Sequence, residues 1–262
     1  MVKHLSSQAK TVNELKLSII IPAYNEEENI SPTVRAIVPF LYKEKIPFEI
    51  VIVNDNSKDN TKSIVNALKE EIPEIVLVDR TPPGGFGRAL RSGMQSFSGD
   101  VVMPVMADLS DDPEDIVRYY RKIEEGYDCV YGSRFMKESK VTDYPKYKLV
   151  VNRIVNKFLQ IIFATNHNDL TNAFKAYRSY VIKNIQPLQA CHFNITIELS
   201  LSALIRNYKI AVIPINWYGR KWGQSNLKLR AMGRRYLATL IKIWFERVLI
   251  HDDILAEKKE SI

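Results

Sequence analysis

Over the first half of the chain, apolar β-rich runs alternate with amphipathic segments of helical length, and this alternation limits the possible folds more than any single motif. The runs are LSIIIPA (17–23), FEIVIVN (48–54), EIVLVD (74–79), DVVMPVM (100–106) and YDCVYGS (127–133). Between them lie Ile30 to Leu41, Lys62 to Lys69, Phe86 to Phe97 and Pro113 to Glu124. A strand that is apolar on both faces needs cover on both faces, and segments of helical length between strands supply it. The pattern therefore predicts an α/β fold with a mostly parallel central sheet flanked by helices.

Turn chemistry falls where such a fold requires it. Asp59 precedes Thr61 as a helix cap, Gly84, Gly85 and Gly87 precede a helix, and Pro113 opens one. Beyond residue 134 the spacing predicts helices over 146–164 and 193–207, a strand at IAVIPIN (210–216) and a long final helix over 227–250. On that last helix Leu229, Met232, Tyr236, Leu240, Ile243 and Trp244 share one face, with Arg234, Arg235 and Lys242 opposite. Two uses of such a helix remain open, packing on the core or lying in a membrane interface with its basic residues toward phosphates.

At 262 residues and 46% hydrophobic, the chain has material for a large core, which excludes a disordered or fibrous protein. Cys129 and Cys191 are far apart and lack metal or disulfide spacing, as expected of reduced thiols in the cytosol. No signal-peptide pattern is expected in residues 1–15, and no window reaches the ~18 apolar residues that span a bilayer. The net charge of +7 points to anionic partners: nucleic acid, phospholipid headgroups or phosphorylated substrates. His4, His167, His192 and His251 form no pair with metal-ligand spacing.

The chemistry gathers where the strands end. The fourth run breaks off in Asp108, Asp111 and Asp112, and carboxylates released from a buried strand into a short loop are how a parallel sheet presents a metal or phosphate site. Asp111 and Asp112 also stand just before Pro113, where an acid suits a helix start, so ligation and capping both remain open for them. The first run ends in Pro22-Ala23-Tyr24-Asn25-Glu26-Glu27 and the second in Asn54-Asp55-Asn56-Ser57-Lys58-Asp59. An Asp at the position of Asp55 can accept hydrogen bonds from a base or ribose. No GxGxxG turn follows the first run, which argues against a dinucleotide-binding Rossmann enzyme.

Taken together, these residues resemble the family 2 glycosyltransferases of the GT-A fold. Gly84-Gly85-Phe86-Gly87-Arg88-Ala89-Leu90 is similar to that family's glycine-rich turn, and Ala107-Asp108-Leu109 with Pro113-Glu114 to its metal motif. Gly132-Ser133-Arg134-Phe135, the run Asp169 to Arg178, and Arg220-Lys221-Trp222-Gly223-Gln224-Ser225 resemble a narrower branch, the polyprenyl-phosphate sugar transferases of the dolichol-phosphate mannose synthase type. The likeness runs in order over roughly residues 17 to 230.

That resemblance implies an inverting transferase that moves a sugar from a nucleotide-diphosphate sugar to a polyprenyl phosphate. It implies nucleotide-sugar contacts at Pro22, Tyr24, Asn25, Glu26, Asp55, Gly85, Arg88, Ala107 and Asp108, with Asp108 as ligand of Mg2+ or Mn2+. It places Ser133, Arg134, Arg220, Ser225 and Lys228 on the acceptor phosphate, and Asp108, Arg134 and Arg220 at the chemistry. It divides the chain into an extension (1–16), a GT-A domain (17–226), and a helix with a charged tail (227–262). It locates the protein in the cytoplasm, peripheral on the cytosolic face of a membrane, resting there by its final helix or held by a separate membrane-anchoring subunit. Trp217, Tyr218 and Trp222 beside Arg220 and Lys221 then suit a lipid contact, and nucleic acid is not expected as a partner.

Three departures bear on the chemistry. Met106 stands where the family's metal motif begins with Asp, so a hard cation loses an oxygen ligand. Asn54 replaces another usual Asp, and Asn226 a frequent Lys. Relatives that glycosylate a hydroxyl carry an acidic pair before the helix at 193–207; here the run is His192-Phe193-Asn194-Ile195-Thr196-Ile197-Glu198. Glu198 is either a base or a structural or substrate-orienting residue. The missing pair favours a phosphate acceptor, which is already ionised and needs no base. Two alternatives stand beside this expectation: transfer to a sugar hydroxyl in surface polysaccharide synthesis, or a degenerate domain that binds without turnover.

Overall fold

The computed structural model describes residues 15–219 and 229–260, with side chains of residues 146, 229–232 and 259–260 excepted. The expected runs become β1 (Leu17–Ala23), β2 (Phe48–Asn54), β3 (Ile75–Asp79), β4 (Val101–Pro104) and β5 (Cys129–Ser133). The segments between them become α1 (Ile30–Lys43), α2 (Thr61–Glu71), α3 (Phe86–Ser96) and α4 (Pro113–Glu124). The second half supplies β6 (Lys140–Thr142), α5 (Lys146–Ile162), β7 (Lys175–Arg178), α6 (Ser179–Asn184), α7 (Ile195–Ile205), β8 (Ile210–Pro214) and β9 (Asn216–Tyr218). The chain then forms α8 (Leu229–Leu249) and α9 (His251–Glu260).

The main sheet has seven strands in the order β3-β2-β1-β4-β7-β5-β8. β1 pairs in parallel with β2 on one side and β4 on the other, Ile20 standing opposite both Val51 and Pro104. The connections diverge at that point, so a crevice opens beyond the carboxyl ends of β1 and β4. β7 runs antiparallel between β4 and β5, and β8 closes the sheet parallel to β5. β6 and β9 form a separate two-stranded ribbon, which Asp111 touches through a bridge to Trp217.

The period of two along each strand divides the core into two layers. Leu17, Ile19, Ile21, Ile50 and Ile52 point to the layer that packs on α1, α2 and α4. Ile20, Val51, Val53 and Val102 point to the layer with α3, α5, α6, α7, α8 and α9. Each of these side chains is withdrawn from water, and burying one contributes roughly 1.5–3 kcal/mol. Gly93 lets α3 lie directly on β1, because a Cβ there would stand 2.4 Å from Ile20 Cγ2.

α8 packs on the core with one face and leaves another exposed. Ile243 and Thr239 are buried and Tyr236 and Leu240 pack against the core, whereas Trp244, expected on the same face, is exposed with Leu237, Ile241, Phe245 and Val248. The segment expected as a charged tail is helical through α9, which docks through Ile254. Among the described residues no helix is long and apolar enough to cross a membrane.

Candidate active site

The first wall of the crevice is made by the two loops after β1 and β2, which are laced together. Asn25 donates its N–H to Ser57 Oγ (3.0 Å), and its Oδ1 accepts from the N–H of Lys58 (2.8 Å). The N–H of Glu26 donates to Thr61 Oγ1 (2.8 Å), and Asn29 Nδ2 to Glu26 Oε2 (2.6 Å). Asn25 adopts a positive φ of 54°, which an Asn tolerates better than most residues. The N-cap of α2 is Asn60, and Asp59, expected as the cap, stands one residue earlier and accepts from the N–H of Thr61 (3.0 Å). Tyr24 is exposed at the rim, Pro22 remains within β1, and Glu26 is buried.

Asp55 is the hinge between this wall and the glycine-rich turn. Its carboxylate pairs with Arg80 and accepts from the N–H of Gly85 (2.6 Å) and from Asn56 Nδ2 (3.1 Å). Sequence reasoning missed Arg80; its place immediately after β3, at the same edge as the other loops, was the available signal. Gly85 has a φ of 148°, and a Cβ there would come 2.5 Å from the Cys191 carbonyl, so the turn accepts no larger residue without movement. Arg88 folds back onto the Gly84 carbonyl (2.9 Å) and Phe86 stacks on Phe193 with centroids 4.5 Å apart. His192 stands against Gly85; burial lowers its pKa, aided by the positive charges of Arg235 and Arg88 and opposed by Asp55. Asn54 is committed to structure, donating to Asp79 (2.6 Å) and accepting from the N–H of Ser57 (3.3 Å).

At the floor of the crevice the acidic loop separates its roles. Ala107 is buried, its carbonyl held by Thr33 Oγ1 (2.8 Å). Asp108 is buried and accepts from the N–H of Ser110 (3.2 Å) across Leu109, whose φ is 58°. Asp112 caps α4 through the N–H of Glu114 (3.0 Å) and anchors Asn216 (3.1 Å). Asp111 instead turns back to the N–H of Met106 (3.0 Å). Burial pushes its carboxyl up to about 7; the Met106 hydrogen bond and Arg134 oppose this, while Asp108 and Asp115 add to it. Among the described residues no three His, Cys, Asp or Glu side chains gather as a metal cage. A cation that draws most of its shell from substrate phosphates and water still fits, since Mg2+ commonly takes only one or two carboxylates from protein, and Asp108 would be the one to offer it.

The second wall is basic. Arg134 forks onto Asp169, Nε to Oδ2 at 2.8 Å and Nη2 to Oδ1 at 2.7 Å, and its own N–H adds a third bond at 3.0 Å. Burial alone would lower the guanidinium pKa, but Asp169 outweighs it and the pKa is raised. The guanidiniums of Arg134 and Arg153 both lie against the Phe135 ring, at 5.6 and 5.3 Å from its centroid. Ser133, expected at the acceptor phosphate, is fully enclosed; its hydroxyl donates to Asn168 (2.7 Å) and accepts from the N–H of Phe135 (3.0 Å). It shapes the turn that carries Arg134. Arg220, Ser225 and Lys228 lie outside the described residues.

Glu198 loses its reading as a base. Both oxygens are spoken for by the N–H groups of Gln189 (3.0 and 3.1 Å) and Ala190 (2.8 Å), with Lys242 of α8 at 3.3 Å. It fixes the 189–192 segment that covers the glycine-rich turn.

This architecture has close counterparts. Glucosyl-3-phosphoglycerate synthase of Mycobacterium tuberculosis, solved with Mn2+, uridine diphosphate and glucosyl-3-phosphoglycerate, superposes over 87% of this chain and 80% of its own with a TM-score of 0.66 at 20% identity. That likeness establishes the GT-A architecture. The dolichol-phosphate mannosyltransferase of Pyrococcus furiosus is 30% identical over 216 residues, 82% of this chain and 60% of that one. The polyprenol monophosphomannose synthase of Mycolicibacterium smegmatis is 27% identical over 217 residues, 80% of each. The chain thus spans 60% of the length of the Pyrococcus relative. Residues 18–186, which hold both loops of the first wall, the glycine-rich turn, the acidic loop and Arg134, match the model described as Glycosyl transferase family 2, and the chain belongs to that family.

Proposed function

We propose that this protein transfers a sugar from a nucleotide-diphosphate sugar to a polyprenyl phosphate. The observation that carries the choice of acceptor is the engagement of Glu198, the sole acid of the run 192–198, with two backbone N–H groups and Lys242. A hydroxyl acceptor needs a base to take its proton, whereas a phosphomonoester, with a second pKa near ~6, arrives ionised. The names of the Pyrococcus and Mycolicibacterium relatives support the same acceptor class.

In this reading the first wall, with Asp55 and the glycine-rich turn, binds the nucleotide, and the acidic loop faces the diphosphate. An acceptor phosphate oxygen attacks the anomeric carbon, forming the new C–O bond as the bond to the donor's β-phosphate oxygen breaks. The nucleoside diphosphate leaves with the electron pair, and the anomeric centre inverts. Arg134, held rigid by Asp169, orients the attacking phosphate, with Arg220, Ser225 and Lys228 proposed beside it. Mg2+ or Mn2+ bound at Asp108 would neutralise charge on the leaving diphosphate.

The place of work is the cytosolic surface of a membrane. α5 exposes Tyr147, Val150, Val151, Ile154, Phe158 and Ile161 along one face, and α8 exposes Leu237, Ile241, Trp244, Phe245 and Val248 along another. Arg247 of α8 reaches the Ile162 carbonyl at the end of α5 (3.4 Å), so the two helices that carry these stripes meet there. Apolar surface of this extent, bordered by Lys148, Arg153 and Lys157, suits an anionic lipid interface. A separate anchoring subunit on the same stripes is the competing means of attachment.

The test is to supply undecaprenyl phosphate in mixed micelles with a panel of nucleotide sugars and extract the lipid. A sugar-bearing, acid-labile lipid is expected. Transfer only to sugar hydroxyls would replace this reading, and turnover that appears only in Met106→Asp would point to a degenerate domain.

A further inference from the structure

Two buried polar side chains near Arg134 have no part in the mechanism above. Asn156 and Lys175 are each 1% exposed, and both grip the short loop 169–172 that carries Asp169. A buried lysine is rare and must be compensated. Lys175, on β7, donates from Nζ to the carbonyls of Leu170 (2.9 Å) and Asn172, with the ammonium 5.2 Å from the centre of the Tyr131 ring. Asn156, on α5, holds the same loop from the other side. Its Oδ1 accepts from the N–H groups of Leu170 (2.7 Å) and Thr171 (3.3 Å), and its Nδ2 donates to Thr171 Oγ1 (2.9 Å). Thr171 passes the constraint on, its hydroxyl donating to Asp169 Oδ1 (3.3 Å), the oxygen that receives Arg134 Nη2.

Resting on the acceptor reading given above, we propose that Asn156 and Lys175 are positioning residues for Arg134, fixing through loop 169–172 the carboxylate that aims its guanidinium at the acceptor phosphate. Neither touches substrate. A guanidinium binds phosphate through a planar fork whose direction matters as much as its charge, so a few tenths of an ångström at Asp169 are felt at the phosphate. Asn156 also lies on the face of α5 opposite Tyr147, Ile154 and Phe158, which the helical spacing sets on the outer side. The helix that turns its apolar stripe outward therefore holds the anion site from its inner face.

A double-mutant cycle tests this, using the full chain, undecaprenyl phosphate in mixed micelles and whichever of GDP-mannose and UDP-glucose the wild type turns over. Asn156→Ala removes three hydrogen bonds to the loop, and KM for undecaprenyl phosphate should rise about tenfold while KM for the donor stays within about twofold. Arg134→Ala should raise the acceptor KM further, and the double variant should match Arg134→Ala alone, because residues that act through one another are not additive. Lys175→Met should repeat the pattern. If Asn156→Ala has lost cooperative melting, Asn156→Asp takes its place in the cycle, keeping the oxygen that accepts from the N–H groups of Leu170 and Thr171 and losing the donation to Thr171 Oγ1. Additive losses, an equal rise in donor KM, or unchanged kinetics in both single variants overturn the proposal while leaving the acceptor reading intact. A wild type that gives no sugar to undecaprenyl phosphate overturns both.

Discussion

Asp108 is where the residue scale matters most. It is buried at the crevice floor, and in place of the family's usual Asp two positions earlier stands Met106, a thioether that a hard cation binds poorly. Asp108→Asn keeps the shape and removes the charge; turnover should fall by about 10²-fold or more if this single carboxylate supports the leaving diphosphate. Initial rates at saturating donor measure it, and full retention would remove Asp108 from the mechanism. The sequence made Asp108 visible because its loop follows a buried strand. It left Glu198 ambiguous, since the N–H groups it accepts lie eight and nine residues back, in a segment with no regular structure. It could not reveal that Ser133 turns inward or that Arg80 closes on Asp55, because both depend on which loops the sheet order brings together.

At the scale of elements, β1 to β5 and α1 to α4 were legible because continuous apolar runs alternate with amphipathic segments of helical length. β7 was not: its four residues include Lys175, and a buried lysine reads as polar until the carbonyls that satisfy it are known. β6 and β9 are three residues each, too short for any periodic signal, and the polar composition of α9 hid its docking residue Ile254. The exposed stripes of α5 and α8 carry the prediction at this scale. Ile154 is 64% and Phe158 53% exposed, so replacing both with Glu should leave the melting temperature nearly unchanged. Flotation with anionic vesicles should drop several-fold, each charge opposing both insertion and the lipid surface. Undiminished flotation would move the membrane contact elsewhere.

Across the whole molecule, the site occupies the carboxyl edge of the sheet while a buried carboxylate secures the opposite edge. Glu49 accepts from Ser18 (2.6 Å), from the N–H (2.6 Å) and hydroxyl (2.7 Å) of Ser98, and from Lys16 (3.0 Å), stitching β1 and β2 to the start of β4. Burial works against its ionisation, but the hydrogen bonds from Ser18, Ser98 and Lys16 prevail and hold the pKa at about 2. The folded value lies below the unfolded one, so the stabilisation is full above pH ~4.5 and is lost as pH falls toward 2. Thermal melts across that window should show a steeper acid loss for the wild type than for Glu49→Gln; parallel curves would deny Glu49 this role.

The central claim concerns what the crevice makes, and the 31P spectrum of the lipid tests it most directly. After incubation of undecaprenyl phosphate with the nucleotide sugar that the protein turns over, the phosphomonoester resonance should give way to that of a sugar phosphodiester, with nucleoside diphosphate released in equal amount. A phosphomonoester that persists while sugar is transferred to a hydroxyl would contradict the account.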